Sequence, residues 1–508
     1  MVGTGILLSR IIGLIRNRVF AHYFGTSDAA DAFNAAFRIP NFLQNLFGEG
    51  VLSASFIPVY AGLRARDRAQ DASAVAAAVA ALLALTVSAL VLAGMLLAPW
   101  LIDLIAPGFT GEKRDATARL VRILFPGAGL LVLSAWCLGV LNSHRRFFLS
   151  YVAPVVWNVA IIVALLLAGG GAGQYRLAEI AAWGSVVGSL LQFGVQLPSV
   201  LALLGGLHPG RLLAEPVRAV GRTFLPVFIG RGVVQISAYV DTMIASLLPT
   251  GAVAAVSYAQ VLYTLPVSLF GMSVSAAELP EMSSATGTEA ERASHLRTRL
   301  ESGLRQIAFF VVPSAVAFIA LGDVVTGALY QSGEFTREMT LYVWAILAAA
   351  SVGLLPSTLG RLYASAFYAL HDTRTPLRIA LVRVGVGVAL GYTLALHGPT
   401  AAGIAPGWGA AGITLASGLA AGVEYLLLRG ALGRRIGPTG LDGALTLRLC
   451  SAAAAGAAAG WALRPLVGSL HPVAVAAVVL GAYGMAYLAV AALLGVPQAR
   501  RLLRLGAA

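Results

Sequence analysis

Apolar runs of about twenty residues recur along the whole of this chain, separated only by short polar connections. No stretch between them is long enough to make a separate soluble domain. In hydrocarbon every backbone N–H and C=O must be satisfied within the protein, which leaves helices and closed barrels as the spanning structures. Runs of this length are helical, so the expected fold is all-α integral membrane. Composition agrees: 58% of residues are hydrophobic and 11% charged, where a soluble protein carries about a quarter charged residues. Mean hydropathy is +0.83.

Fourteen spans are expected, near 3–22, 29–62, 74–105, 117–142, 148–169, 177–204, 219–248, 252–283, 304–330, 340–370, 375–397, 408–430, 441–463 and 472–495. Pro40 and the Gly48-Glu49-Gly50 break predict a bend in the long second one. The formal net charge of +13 does not point to nucleic acid, because its arginines are scattered over many loops. Every second connection is basic: Arg64/Arg66/Arg68, Arg145/Arg146, Arg211/Arg218/Arg222, Arg292/Arg297/Arg299, Arg374/Arg378, Arg434/Arg435 and the tail Arg500/Arg501/Arg504. Cytoplasmic loops carry such an excess, so both termini of a multi-pass membrane protein are expected in the cytoplasm. All basic residues but Lys113 are arginine. The two cysteines, Cys137 and Cys450, lie in apolar spans and read as buried small hydrophobes. No signal peptide is expected.

An internal repeat divides the chain. Leu46-Phe47-Gly48 followed by Pro58 is echoed by Leu269-Phe270-Gly271 followed by Pro280, and residues 139–146 more loosely by 367–374. Both echoes have an offset of roughly 225 residues, or six spans. Six is even, so the copies share orientation and form a parallel repeat about an axis along the membrane normal. The expected organisation is residues 1–215 as one six-span lobe, 216–437 as a second, and 438–508 as two further spans with a cytoplasmic tail.

The informative residues are polar groups at membrane depth, where a charge is costly unless it faces a cavity or a partner. On the second span Asp31, Asn34, Arg38, Asn41, Asn45 and Glu49 follow steps of three and four, within an arc of about 80° on a regular helix. Such a stripe reads as the wall of a wet cavity, with polar glue between packed helices as the alternative. The first span carries Arg10, Arg16, Asn17 and Arg18. Arg18 can snorkel to an interface, and Arg10 is open between cavity and anchor. On the seventh span Arg231, Gln235, Thr242 and Ser246 share one face, with Asp241 beside them. Arg361 and Arg383 sit nearer span ends, where anchoring is the alternative.

Arginines around a central cleft need an anion, and guanidinium pairs bidentately with phosphate. Membrane anions with a translocation problem include pyrophosphate-linked glycolipids. Asp31 and Glu49 are expected to pair with these arginines when substrate is absent, so that exchange of partners couples binding to closure. Gly184/Gly188 and Gly456/Gly460 permit close helix packing. Residues 289–305 read as a surface helix. No Walker A pattern, His/Cys metal cluster or nucleophile elbow occurs, so neither an enzyme nor a cofactor is expected.

The segments Leu8-Ser9-Arg10, Gly13-Leu14-Ile15-Arg16, Phe24-Gly25, Asp31-Ala32-Phe33, Phe37-Arg38-Ile39-Pro40-Asn41 and Phe47-Gly48-Glu49-Gly50 resemble the MurJ (MviN) lipid II flippases. These belong to the multidrug/oligosaccharidyl-lipid/polysaccharide exporter superfamily. Phe367 to Pro376 resembles that family's tenth-helix ending, so the resemblance covers essentially the whole chain. It implies a V-shaped, two-lobed transporter moving an undecaprenyl-pyrophosphate-linked disaccharide-pentapeptide by alternating access. It also implies dependence on membrane potential, with Na+ or H+ as the coupling ion left open. Arg10, Arg16, Asp31 and Glu49 match the family's functionally important charges.

The sequence also departs from that family. Gln44 and Val261 stand where cavity arginines are expected, and Asn17 where an acidic residue often follows the first-helix arginine. Arg231 and Arg38 are the candidates to replace the missing cations. The expected substrate-binding set is therefore Arg10, Arg16, Arg38, Asn41, Gln44 and Arg231, with Asp31, Glu49 and Asp241 as charge partners. Expected partners are an undecaprenyl-linked glycolipid, membrane lipids and cell-wall synthesis proteins, not nucleic acid. Two rivals stay open: a same-fold exporter of another polyprenyl-linked saccharide, and a non-transporting scaffold of cell-wall synthesis.

Overall fold

The computed structural model describes residues 2–47, 49–169, 171–206, 214–284 and 288–505. These are nearly all helical. The first helices are α1 (Val2–Phe24), α2 (Asp28–Phe47), α3 (Glu49–Ala65), α4 (Ala69–Leu96) and α5 (Ala98–Ile105). Then come α6 (Gly111–Ser143), α7 (Phe147–Ala168), α8 (Gln174–Leu204) and α9 (Glu215–Ser246). They are followed by α10 (Ala252–Pro266), a π-helical stretch (Val267–Met272), α11 (Ser273–Ser283), α12 (Glu289–Tyr330), α13 (Arg337–Ser351) and α14 (Leu354–Ala369). The chain closes with α15 (Arg374–Leu396), the short α16 (Gly398–Ala402), α17 (Gly409–Ile436), α18 (Gly443–Val467), α19 (Pro472–Leu493) and α20 (Pro497–Leu505).

Among the described residues, ten helical segments are long and apolar enough to cross a membrane, or eleven when the bent pair α13 and α14 counts as one. This is a multi-pass membrane protein. The fourteen expected spans are not all reached by that criterion. Every 18-residue window of α1 contains Arg10, Arg16 and Arg18, and α18 is rich in alanine and glycine, which lowers its hydropathy. The expected single span at 340–370 is two helices meeting at 42°. At the bend α14 meets α17 closely: a Cβ on Gly353 would sit 2.2 Å from the Cα of Gly418 on α17, so only glycine lets the two backbones approach there. The expected surface helix at 289–305 is the first part of the continuous 42-residue α12. Large side chains face outward into lipid, Leu167 at 84% and Leu493 at 82% exposure among them.

The chain forms two compact units, Met1–Ala254 and Ala255–Ala508. Helix α9, which the repeat assigns to the second lobe, groups with the first unit, where it packs on α3. In that unit α8 lies against α6 and α7. The expected close packing at Gly184 and Gly188 is present: added Cβ atoms would fall 2.7 Å from Ala164 Cβ and 2.8 Å from the Trp157 carbonyl. Between α6 and α8, Gln192 donates to Ser134 at 3.0 Å and Ser134 to Gln196 at 3.3 Å, a buried polar contact of the kind that ties helices in lipid.

In the second unit α12 packs on α13, α14, α18 and α19. Pro313 lies inside α12. Proline has no N–H, so the carbonyl four residues earlier, on Phe309, loses its helical partner. Tyr487 of α19 donates its hydroxyl to that oxygen at 2.6 Å, and Tyr483 donates to the Pro313 carbonyl at 2.6 Å. At Gly456 and Gly460 an added Cβ would meet the Tyr483 carbonyl at 2.8 Å and Leu321 at 3.0 Å.

The backbone carries local traces of the repeat. Arg145 and His371, 226 residues apart, share a left-handed φ of 59°. Each ends a helix with the same closing bond, Arg146 N–H to the Leu141 carbonyl and Asp372 N–H to the Phe367 carbonyl, both 2.9 Å. Gly25 and Gly251 repeat the 226-residue spacing, with φ of 53° and 91°. At the second Leu-Phe-Gly echo, Leu269 to Gly271 lie in the π-helical stretch. Gly271 lets Thr358 come within 2.3 Å of where a Cβ would be.

Candidate substrate-binding site

Three helices of the first unit, α1, α2 and α8, converge on Trp157 of α7. Its indole N–H donates to the carbonyl and hydroxyl of Ser185 on α8 at 3.1 and 3.2 Å. Phe37 of α2 stacks on the indole with centroids 5.9 Å apart. The Arg16 guanidinium of α1 lies 4.9 Å from the ring centroid, a cation–π contact that suits a cation short of water. Arg16 also donates from Nε and Nη2 to Asn17 Oδ1 at 3.3 and 2.9 Å. It is half-buried and fixed in direction, whereas Arg10 is exposed. Nothing in the sequence pattern singles out Trp157.

The stripe itself divides. Asp31 is fully buried, and Asn34, Arg38, Asn41 and Gln44 are half-buried, while Asn45 is exposed. Asn34 bonds back to the Ala30 carbonyl at 2.8 Å. The Arg38 carbonyl accepts from Tyr239 of α9 at 2.9 Å, and Asp241 of α9 lies within electrostatic reach of the Arg38 guanidinium. The side chains of Glu49, Arg231 and Gln235 lie outside the described residues.

Asp31 requires a correction. Its partner is not an arginine but Lys113, the only lysine in the chain. Lys113 Nζ stands 2.7 Å from Asp31 Oδ2 and 2.7 Å from Asp28 Oδ1. The backbone N–H groups of Gly251 and Ala254 donate to the two Asp31 oxygens at 2.7 and 2.8 Å, and Thr250 donates to Asp28 at 2.9 Å. Asp31 thus holds the turn after α9 and the first turn of α10, whose N–H groups have no partners within the helix. Asp28 and Asp31 begin α2, where carboxylates suit the helix dipole. Lys113 lies in the first turn of α6, 82 residues from Asp31, and only its being the sole lysine set it apart in sequence.

In the second unit Val261 is half-buried and Gln260 bonds to Thr264 at 3.3 Å. Tyr263 meets Ser357 at 2.8 Å. Arg383 pairs with Glu424 of α17 at 3.0 Å, and Arg361 is exposed. A buried carboxylate not singled out in sequence, Asp323, accepts from Arg337 at 2.8 Å and from Arg464 of α18 at 2.6 Å.

The comparisons with known proteins agree over most of the chain. The sequence model described as "Lipid II flippase MurJ" matches residues 20–487. The lipid II flippase MurJ of Burkholderia cenocepacia is 34% identical over 431 residues, 83% of this chain and 80% of the relative. The probable lipid II flippase MurJ of Rhizobium meliloti is 32% identical, covering 80% of this chain and 77% of the relative. A solved lipid II flippase MurJ in an inward closed conformation superposes with a TM-score of 0.80 at 24% identity, over 97% of this chain and 98% of that one. An inward-facing MATE transporter of the MOP superfamily reaches 0.69 at 18% identity, over 84% and 95%; at such identities both likenesses speak for the fold alone. On the family match and the relatives above 30% identity, the chain belongs to the MurJ lipid II flippase family.

Proposed function

We propose that this protein translocates lipid II, the undecaprenyl-pyrophosphate-linked disaccharide-pentapeptide, from the cytoplasmic to the outer leaflet of the bacterial inner membrane. It is a transporter and not an enzyme. The observation that carries this reading is family membership over residues 20–487. The half-buried guanidinium of Arg16, oriented by Trp157 and Asn17, supports it with a cation suited to a phosphate oxygen.

In this reading Arg10, Arg16, Arg38, Asn41, Gln44 and Arg231 receive the diphosphate. Asp31, Glu49 and Asp241 balance the cationic charge as the site opens and closes by alternating access. Residues 1–215 and 216–437 act as two lobes, 438–508 completes the membrane domain, and both termini are cytoplasmic. Cell-wall synthesis proteins are the partners such a flux would serve.

The test is rescue of a bacterium depleted of its own lipid II flippase. Wild type should restore growth, and Arg16→Ala should abolish rescue while the protein remains in the membrane. Failure of wild type to rescue, with a different polyprenyl-linked saccharide building up in cells lacking this protein, would overturn the substrate. Full rescue by Arg16→Ala would overturn the site.

A further inference from the structure

The geometry points to a second ligand site in this protein, a groove at the end of α17 that holds the headgroup phosphate of an acidic phospholipid. The groove measures about 400 Å³ and is lined by Leu426, Arg429, Gly430, Gly433 and Arg434 of α17, with Thr439 of the following turn. It lies at the end of the spanning segment Pro406–Ile436, in the run that carries the basic pair Arg434 and Arg435. Lipid phosphates sit at that depth, at the edge of the hydrocarbon.

Charge complementarity names the occupant. Arg429 and Arg434 line the groove, and a Cβ on Gly437 would lie 3.1 Å from the Arg297 guanidinium of α12. Among the described residues no carboxylate is within ion-pair distance of Arg297, Arg429 or Arg434, whereas the neighbouring Arg435 is matched by Asp372 at 2.6 Å. Arg429 is also held in place. Its Nε donates to the Thr439 carbonyl at 2.8 Å, and its Nη2 lies where a Cβ on Gly440 would be 2.8 Å away. Thr439 in turn meets the Tyr363 hydroxyl at 3.1 Å. The guanidinium therefore keeps its remaining N–H groups for a ligand, oriented before the ligand arrives. Leu426 and Leu427, 61% and 41% exposed, continue the groove as apolar surface for an acyl chain. Headgroup and chain together call for a lipid rather than a free anion. None of these residues belongs to the proposed substrate-binding set.

The test uses the full-length protein in detergent, with retained lipid counted by native mass spectrometry. Phosphatidylglycerol should be retained in preference to phosphatidylcholine. Arg429→Gln with Arg434→Gln should weaken retention roughly thirtyfold, at about fivefold per arginine. Added Cβ atoms at Gly430 and Gly433 meet no atom within 4 Å, so Gly430→Leu and Gly433→Leu should fold normally and block the groove with its charge intact. Equal retention of the two lipids, unchanged retention in the leucine variants, or displacement by millimolar inorganic phosphate would each overturn the assignment. If the double arginine variant fails to fold, the leucine variants decide alone.

Discussion

The first unit closes the start of its second span with charge, and the second unit closes the equivalent place with aromatic rings. Six residues after the left-handed Gly25 stands Asp31, and two after the left-handed Gly111 stands Lys113; the two side chains meet at 2.7 Å. Seven residues after Gly251 stands Tyr258, and two after Gly333 stands Phe335, their rings in edge contact at 5.3 Å. Tyr330 completes the aromatic set, 4.9 Å from Tyr258 and 5.6 Å from Phe335. One backbone plan thus carries two different kinds of closure. The ionic one depends on direction and number of hydrogen bonds, and loses most of its value when one partner goes. The aromatic one depends on buried area and tolerates the loss of a single polar atom. The first offers charged groups that a competing ion can engage.

Isosteric substitutions bring out that difference. Asp31→Asn should be the most damaging, costing about 3–5 kcal/mol by thermal unfolding in detergent, because it strips charge from a site built for a carboxylate. A melting temperature close to wild type would break the comparison outright. Lys113→Met should follow at about 1.5–3 kcal/mol, since Asp31 keeps its two backbone donors. Tyr330→Phe should cost only about 1 kcal/mol: the lost hydroxyl bond to the Tyr258 carbonyl is long, at 3.3 Å, and the ring stays. A larger loss there than at Lys113 would show that the second closure is polar after all.

Smallest of all should be the effect at Asp372, an ion pair outside the spans. Its hydrogen bonds to Thr375, then the Arg435 guanidinium, hold its carboxyl below the ordinary 3.8. A depressed folded value means that its contribution is complete above about pH 4 and is lost as pH falls through that lower value. Melting temperatures of wild type and Asp372→Asn should therefore differ by a constant amount between pH 5 and 8, and added salt should shrink the gap.

Much of the fold was legible because hydropathy is a one-dimensional signal. Helix α8 runs Gln174–Leu204 against an expected 177–204, and α19 Pro472–Leu493 against 472–495. The close approach at Gly353 was not legible, because its partner, Gly418, is more than sixty residues away in sequence. The candidate site was half legible. Steps of three and four placed Asp31 and Arg38 on one helix, and the arginines of α1 were conspicuous in an apolar run. Which cation meets Asp31, and that Trp157 lies beside Arg16, are tertiary facts with no period in the sequence.

The tyrosines that cover the gap at Pro313 bear on how the chain is made. Phe309 leaves the ribosome long before Tyr487, which is 178 positions downstream. Until α19 enters the bilayer, the bare carbonyl of α12 must borrow water or a temporary neighbour. The last spans therefore finish a helix begun much earlier, and a protein truncated before Pro472 should be handed to quality control for a defect that lies in its middle.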